Sequence, residues 1–277
     1  MNSQALITEQ AVYNATLIHR TDVTPELSVV RFRPDSGLIP EFLPGQFIKL
    51  GLPREEGVEP VQAGPGRPRS GPRLIRRAYS IASSPRQRDC VEIFVVRVEG
   101  GKLTPKLWVL DLGGRAWMDD KISGRFTLDP VPPHKDVVMV ATGTGIAPFV
   151  SMLRTYHDQP RWRRAVLING VRYAPDLGYR EELEALARAN PRVRYIPIVS
   201  RDPGDGAWTG LRGRVQVVLD PAVYESQVGA ALDPDDCHVM LCGNPEMIDS
   251  VQAMLAQRGF RPHSSDQPGN IHFERYW

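Results

Sequence analysis

The sequence predicts two domains in tandem. Residues 1–133 read as an antiparallel β-barrel, and residues 134–277 as an α/β domain with a doubly wound parallel sheet. Three observations carry this reading. The first half is built from short, β-branched segments punctuated by Gly and Pro, the pattern of a small barrel. The second half changes period and alternates continuous apolar strands with amphipathic helices. Between them, Pro130, Pro132 and Pro133 break the chain.

The barrel strands are expected at 11–20 and 27–33, separated by a turn from Asp22 to Pro25, and at 46–50 and 91–98. The segment Arg77-Ala78-Tyr79-Ser80 is read as a further strand. Thr104 is placed to cap a short helix running through Leu107 and Leu110, with Pro105 at its first helical position. A last barrel strand is expected at 124–128. In the second half, 136–141 is a continuous apolar run suited to a buried parallel sheet. A glycine turn and a helix at 148–156 follow it. Strands at 165–169, 193–199 and 238–242 then alternate with helices at 180–189, 214–219 and 246–259.

Composition narrows the function classes. Hydrophobic residues make up 42% and charged residues 24%, enough for a packed core. The net charge of +2, from 34 Lys+Arg against 32 Asp+Glu, is too balanced to argue for a nucleic-acid partner. No run approaches the roughly 18 apolar residues of a membrane span, and the N-terminus lacks the layout of a secretory signal. No membrane association and a cytoplasmic location are therefore expected. Three cysteines, Cys90, Cys237 and Cys242, supply neither a disulfide framework nor a four-thiolate cluster, and no metal site is expected. The Pro- and Gly-rich stretch 53–73 reads as a surface loop. With Arg54, Arg67, Arg69, Arg73 and Arg76 it is also a candidate basic patch for an acidic protein partner or nucleic acid, the latter disfavoured by the lack of interleaved aromatics or a nucleic-acid fold signal.

Four segments carry chemistry. In Arg77-Ala78-Tyr79-Ser80, strand alternation sends Arg77 and Tyr79 to one face, where a guanidinium can clamp a diphosphate and a ring can stack on a flat heterocycle. Gly101-Lys102-Leu103-Thr104 opens a helix, where free N–H groups and the Thr hydroxyl can meet phosphate. Thr142-Gly143-Thr144-Gly145-Ile146-Ala147-Pro148 follows the first apolar strand of the second half, the position at which a pyrophosphate meets helix donors. Its spacing is G-x-G-x-x-P rather than G-x-G-x-x-G. Cys242-Gly243-Asn244-Pro245 ends a strand and opens a helix, so Cys242 would face the same crevice. Taken singly, each has a bland structural reading: a barrel strand, a simple cap, a tight turn, a small buried hydrophobe.

Together and in this order, the four segments resemble the bacterial-type ferredoxin/flavodoxin–NADP(+) reductases, and Tyr276-Trp277 is similar to the aromatic C-terminus of one branch of that group. The resemblance implies an FAD on the barrel. Arg77 would pair with its pyrophosphate, Tyr79 would stack on the isoalloxazine, and Ser80 would sit near N5. Ala78 belongs to the same strand, Ile81, Ala82 and Ser83 would follow the ring edge, and Gly101, Lys102, Leu103 and Thr104 would bind pyrophosphate and ribose. Tyr276 would cover the other ring face and yield to nicotinamide, and Trp277 would stack on adenine. The second cofactor would lie against Thr142, Gly143, Thr144, Gly145, Gly243 and Asn244. Its 2′-phosphate would be gripped by Arg172, by Arg201 after Ser200, and by Arg212 or Arg214, which favours NADP(H) over NAD(H).

The activity implied is hydride transfer between NADP(H) and FAD, with Ser80, Cys242, Glu274 and Tyr276 at the reacting atoms. Single electrons would pass on to ferredoxin or flavodoxin from a monomer. The alternatives are an NADH-linked reductase of the same architecture serving an oxygenase, or a non-catalytic flavin-binding regulator. The former usually carries a fused ferredoxin or haem domain, for which this chain has neither the cysteines nor the length.

Overall fold

A computed structural model of the chain describes residues 13–54 and 74–275. Most of the 53–73 loop and the pair Tyr276 and Trp277 lie outside the described residues. Two six-stranded sheets organise the fold. The first is antiparallel and joins β1 (Ala15–Thr24), β2 (Leu27–Pro34), β3 (Phe47–Pro53), β4 (Leu74–Ser80), β5 (Val91–Val96) and β6 (Arg115–Met118) in the order β4-β3-β6-β1-β2-β5. A bridge between Ile81 and Ile93 brings the two outer strands together, so the sheet curls toward closure. Its interior is filled by alternating side chains such as Leu17, Phe32, Ile48, Leu50 and Ile93.

The second sheet is parallel. It joins β7 (Asp136–Thr142), β8 (Arg164–Val171), β9 (Val193–Val199), β10 (Leu211–Arg212), β11 (Cys237–Gly243) and β12 (Ile271–Arg275) in the order β10-β9-β8-β7-β11-β12. From β7 the chain winds outward through β8, β9 and β10, then returns to lay β11 on the other side of β7. The carboxyl ends of β7 and β11 therefore flank the topological switch point, where open α/β sheets bind ligands. Six of seven residues in β7 are buried, because both sheet faces are covered. One face packs α2 (Ala147–Tyr156) and α3 (Arg180–Ala189) in a core that also takes in Leu27, Phe94, Phe126 and Leu128 from the barrel half. The other face packs α4 (Val215–Val218), α5 (Pro221–Val228) and α6 (Pro245–Ala256). The remaining helix, α1, is the single turn and a half at Thr104–Trp108. No helix among the described residues is long and apolar enough to cross a membrane.

Several expectations need correction. Residues 124–128 are not a strand: Gly124 takes φ +120°, and Phe126 and Leu128 leave the sheet to fill the core between the halves. The barrel strand missing from the sequence reading is β6, only four residues long yet central, pairing with both β1 and β3. The polar edge strand β12 is also absent from that reading, since β11 is the one strand it pairs with, apart from a single bridge from Ile271 to Pro262. So is α5, although Asp220 caps it through the amides of Ala222 and Val223 and Pro221 opens it. Thr104 does not cap α1. It is the first helical residue, and its hydroxyl instead accepts from the Val98 amide at 3.0 Å, closing the turn that precedes the helix.

Candidate functional site

β4 leads out of the barrel toward the switch point of the parallel sheet, and Ser80 at its end meets Glu274 on β12. The Ser80 hydroxyl donates to Glu274 Oε2 at 3.1 Å. Cys242 is fully buried and stands opposite Glu274 in the β11–β12 register, with Ala141 opposite it on the other side. Ser80, Cys242 and Glu274, far apart in the chain, thus converge at the mouth between the two sheets. Burial raises the Glu274 carboxyl to about 7, with the Ser80 hydroxyl bond pulling it partway back.

The register places Arg77 opposite Leu50 and Tyr79 opposite Ile48, so both share the face that looks toward the barrel core. Tyr79 packs its ring against that core, and its buried hydroxyl has no partner. Desolvation holds this phenol above its ordinary pKa, with Arg77 nearby opposing the shift. Arg77 stays exposed, without an acidic partner among the described residues, and donates only to the Arg76 carbonyl at 2.8 Å. Ala78 lies between them, also exposed. An orphaned phenol packed on the barrel core beside an exposed guanidinium without an acidic partner fits a flat ring carrying a diphosphate.

At Gly101, an added Cβ would lie 2.8 Å from the Val98 carbonyl, so only glycine makes this turn. Lys102 is exposed, whereas the Leu103 side chain is buried in the barrel core and leaves only backbone to offer a ligand. Ile81, Ala82 and Ser83 continue directly from the flavin strand. The Ala82 amide donates to Glu92 O at 2.8 Å, and the Ser83 hydroxyl accepts from the Glu92 amide at 3.1 Å. All three are buried: Ile81 lies in the barrel core, while Ala82 and Ser83 lie at the contact between the halves.

The nucleotide turn is tightly built. Residues Gly143–Ile146 form a 3₁₀ turn after β7, and a Cβ on Gly145 would fall 2.3 Å from the Cys242 carbonyl oxygen. Gly243, at φ +131°, leaves room for the Thr142 hydroxyl, which accepts from the Asn244 amide at 3.0 Å. Asn244 caps α6 through the Glu246 amide at 2.7 Å. Gly143, at φ +54°, has open space where a Cβ would be, and Thr144 is half-buried beside it. This cradle admits a pyrophosphate against backbone.

Beyond it, Arg172 and Arg201 follow β8 and β9, joined by the Arg201 amide donating to the Arg172 carbonyl at 2.8 Å. The Ser200 hydroxyl donates to Val171 O at 3.0 Å. Arg212 is committed: its Nε donates to Asp202, whose side chain is only 5% exposed, and Nη2 donates to the Trp208 carbonyl. Arg214 precedes α4, exposed and without an acidic partner among the described residues, as are Arg172 and Arg201. Tyr276 and Trp277 lie outside the described residues.

The sequence reading missed a group where the halves touch: Glu92, Arg154 and Tyr179. The signal was present, since Glu92 interrupts the apolar run Val91–Val96 and Arg154 sits in the otherwise apolar α2.

Residues 139–253 match the family model described as oxidoreductase NAD-binding domain. The chain is 34% identical to a flavodoxin/ferredoxin–NADP reductase of Buchnera aphidicola subsp. Schizaphis graminum, over 86% of this chain and 90% of that protein. It is 33% identical to ferredoxin–NADP reductase B of Sorangium cellulosum, over 95% of this chain and 97% of that one. Among solved structures, a ferredoxin NADP+ reductase from Neisseria gonorrhoeae with bound FAD and NADP is similar, with TM-score 0.80, 27% identity and coverage of 95% of this chain and 97% of that one.

Proposed function

From the premise that this chain belongs to the flavodoxin/ferredoxin–NADP reductase family, we infer how its own residues carry the reaction. The protein is an FAD-dependent oxidoreductase working with NADP(H). Bound FAD supplies hydride exchange with the nicotinamide and release of electrons one at a time. The observation that carries the reading is the convergence of Ser80, Cys242 and Glu274 where the flavin strand meets the sheet's switch point.

Residues 1–133 hold the flavin and 134–277 the nicotinamide nucleotide. Arg77 neutralises the flavin diphosphate, Tyr79 supports the ring through its face and hydroxyl, and Lys102 with the adjoining backbone amides completes the phosphate site. Ser80 and Glu274 form a hydroxyl–carboxyl pair able to hold or pass a proton beside the reacting atoms. Cys242 excludes water and presents a small, polarizable surface to the nicotinamide. The Gly143–Gly145 turn receives the pyrophosphate.

Arg172, Arg201 and Arg214 take the 2′-phosphate. Arg214 serves in preference to Arg212, whose Nε and Nη2 are already engaged by Asp202 and the Trp208 carbonyl. Ferredoxin or flavodoxin takes the electrons.

Anaerobic visible spectroscopy of the purified protein tests this reading. A flavin spectrum bleached rapidly by one equivalent of NADPH and slowly by NADH is expected, followed by reoxidation with ferredoxin or flavodoxin. Arg214→Ala should weaken NADPH about 10- to 100-fold, the worth of one or two lost charge-assisted bonds, and narrow the preference over NADH. Arg212→Ala should lower the melting temperature and leave that preference in place. A colourless protein that FAD cannot reconstitute, or equal bleaching by both nucleotides, would overturn the respective assignment.

A further inference from the structure

The two sheets meet along a polar seam distinct from either cradle. Glu92 on β5 is 1% exposed. Its carboxylate accepts from Arg31 Nε at 2.7 Å, from Arg154 Nη1 at 2.7 Å and from the Tyr179 hydroxyl at 3.1 Å. Arg31 lies on β2 of the barrel, whereas Arg154 lies on α2 and Tyr179 just precedes α3. One buried carboxylate is therefore gripped from both halves. Arg154 also donates to the Ala82 carbonyl at 3.1 Å and to both oxygens of Glu182 at 2.6 and 2.7 Å. Tyr179 takes a left-handed backbone at φ 62°, the one such non-glycine among the described residues, and its ring meets Phe94 edge-on at 5.4 Å. Two more bonds stitch the same seam, from the Ser151 hydroxyl to Ser83 O at 2.7 Å and between Ser84 and Thr155 at 2.9 Å.

What the seam joins matters. Residues 81–84 leave directly from Tyr79 and Ser80. Helix α2 starts directly from the Gly143–Gly145 turn and carries Ser151, Arg154 and Thr155 into the seam. A single rigid helix thus links the nucleotide cradle to the segment that continues the flavin strand.

We propose that Glu92, Arg154 and Tyr179 are positioning residues that set the approach of the nicotinamide nucleotide to the flavin. This rests on the functional reading above. A purely apolar seam tolerates sliding, but a buried charge pair does not, because displacing one partner leaves the other uncompensated. Hydride donor and acceptor must meet at about 3–3.5 Å, and a misplacement of about 1 Å can cost on the order of 100-fold in rate.

The test compares FAD-loaded wild type with Glu92→Gln, Arg154→Lys and Tyr179→Phe in anaerobic rapid mixing with NADPH. Four quantities are followed: flavin bleaching, the long-wavelength charge-transfer absorbance of stacked flavin and nicotinamide, the NADP+ dissociation constant by difference spectra, and melting. Each folded variant should bind NADP+ within about threefold of wild type, while hydride transfer slows about 10- to 100-fold and the charge-transfer absorbance falls in step. Amide exchange should rise across 81–84. Tyr179→Phe deletes one hydroxyl and keeps the test standing if a change at Glu92 prevents folding. Unchanged hydride transfer and charge-transfer absorbance in the folded variants would overturn the proposal, as would rate losses matched by equal losses of NADP+ affinity. A wild type that NADPH fails to bleach overturns the functional reading itself, before any variant is compared.

Discussion

Glu274 carries a carboxyl raised by burial from 4.5 to about 7, while Ser80 donates to it across the cleft. The sign of its effect follows from which state holds the proton. Between pH 4.5 and 7 the folded protein keeps a proton that the unfolded chain releases, so stability falls as pH rises through this window. At about 1.4 kcal/mol per unit, the full change is on the order of 3 kcal/mol. Chemical denaturation across pH 5–8 should show this slope in the wild type and lose it in Glu274→Gln. Hydride transfer should show an inflection near pH 7 that the same substitution removes. Above that pH Glu274 is an acceptor for Ser80, and below it a donor, so a pH-independent rate in the wild type would exclude a role for this pair.

Among the elements, the 3₁₀ turn between β7 and α2 leaves no room for a side chain at Gly145. A methyl group on Gly145 would press on the Cys242 carbonyl and come within 2.8 Å of the Gly243 Cα, and both are backbone of a central strand that cannot yield cheaply. Gly145→Ala should therefore reduce NADP+ affinity at least about tenfold and lower the melting temperature by several degrees, with FAD still bound. Gly143→Ala, facing open space, should cost only the left-handed strain of about 1 kcal/mol. NADP+ titration and melting of the two variants separate the effects. Local sequence carried this turn fully: glycines after an apolar strand and a proline opening the helix are short-range signals. Strand β6 left no comparable trace, since four residues of Arg-Ala-Trp-Met become a strand only through pairing on both edges.

For the molecule as a whole, the decisive feature is a charged contact buried between two halves that each possess a core of their own. Burial by itself would raise the Glu92 carboxyl, but Arg154 and Arg31 outweigh it and hold the group below its usual range. Its stabilising contribution is thus complete above the unfolded value of 4.5 and is lost as pH falls through the lowered folded value, the reverse of Glu274. Acid titration of the FAD-loaded protein should reveal a loosening below pH 4.5 detectable as amide exchange along the seam. That acid-dependent step should be absent from Glu92→Gln, whose seam is already weakened at neutral pH. Tyr179, Glu182 and the two arginines all face this carboxylate or its partner, so they should open together.

The residues by themselves determined the two architectures, their order and the glycine turns, because periodicity, caps and turn chemistry act over a few positions. They also determined the family, since four short segments in a fixed order carry that resemblance. Only the tertiary structure decided which distant groups meet. Ser80 and Glu274 are 194 positions apart, and they touch because β12 adds to the edge of β11 at the switch point. That Arg212 bonds Asp202 and the Trp208 carbonyl, while Arg214 has no acidic partner among the described residues, was likewise invisible in the sequence. The 124–128 segment misled for the same reason: its apolar residues fill a space created by packing two sheets together, and no local pattern records that space.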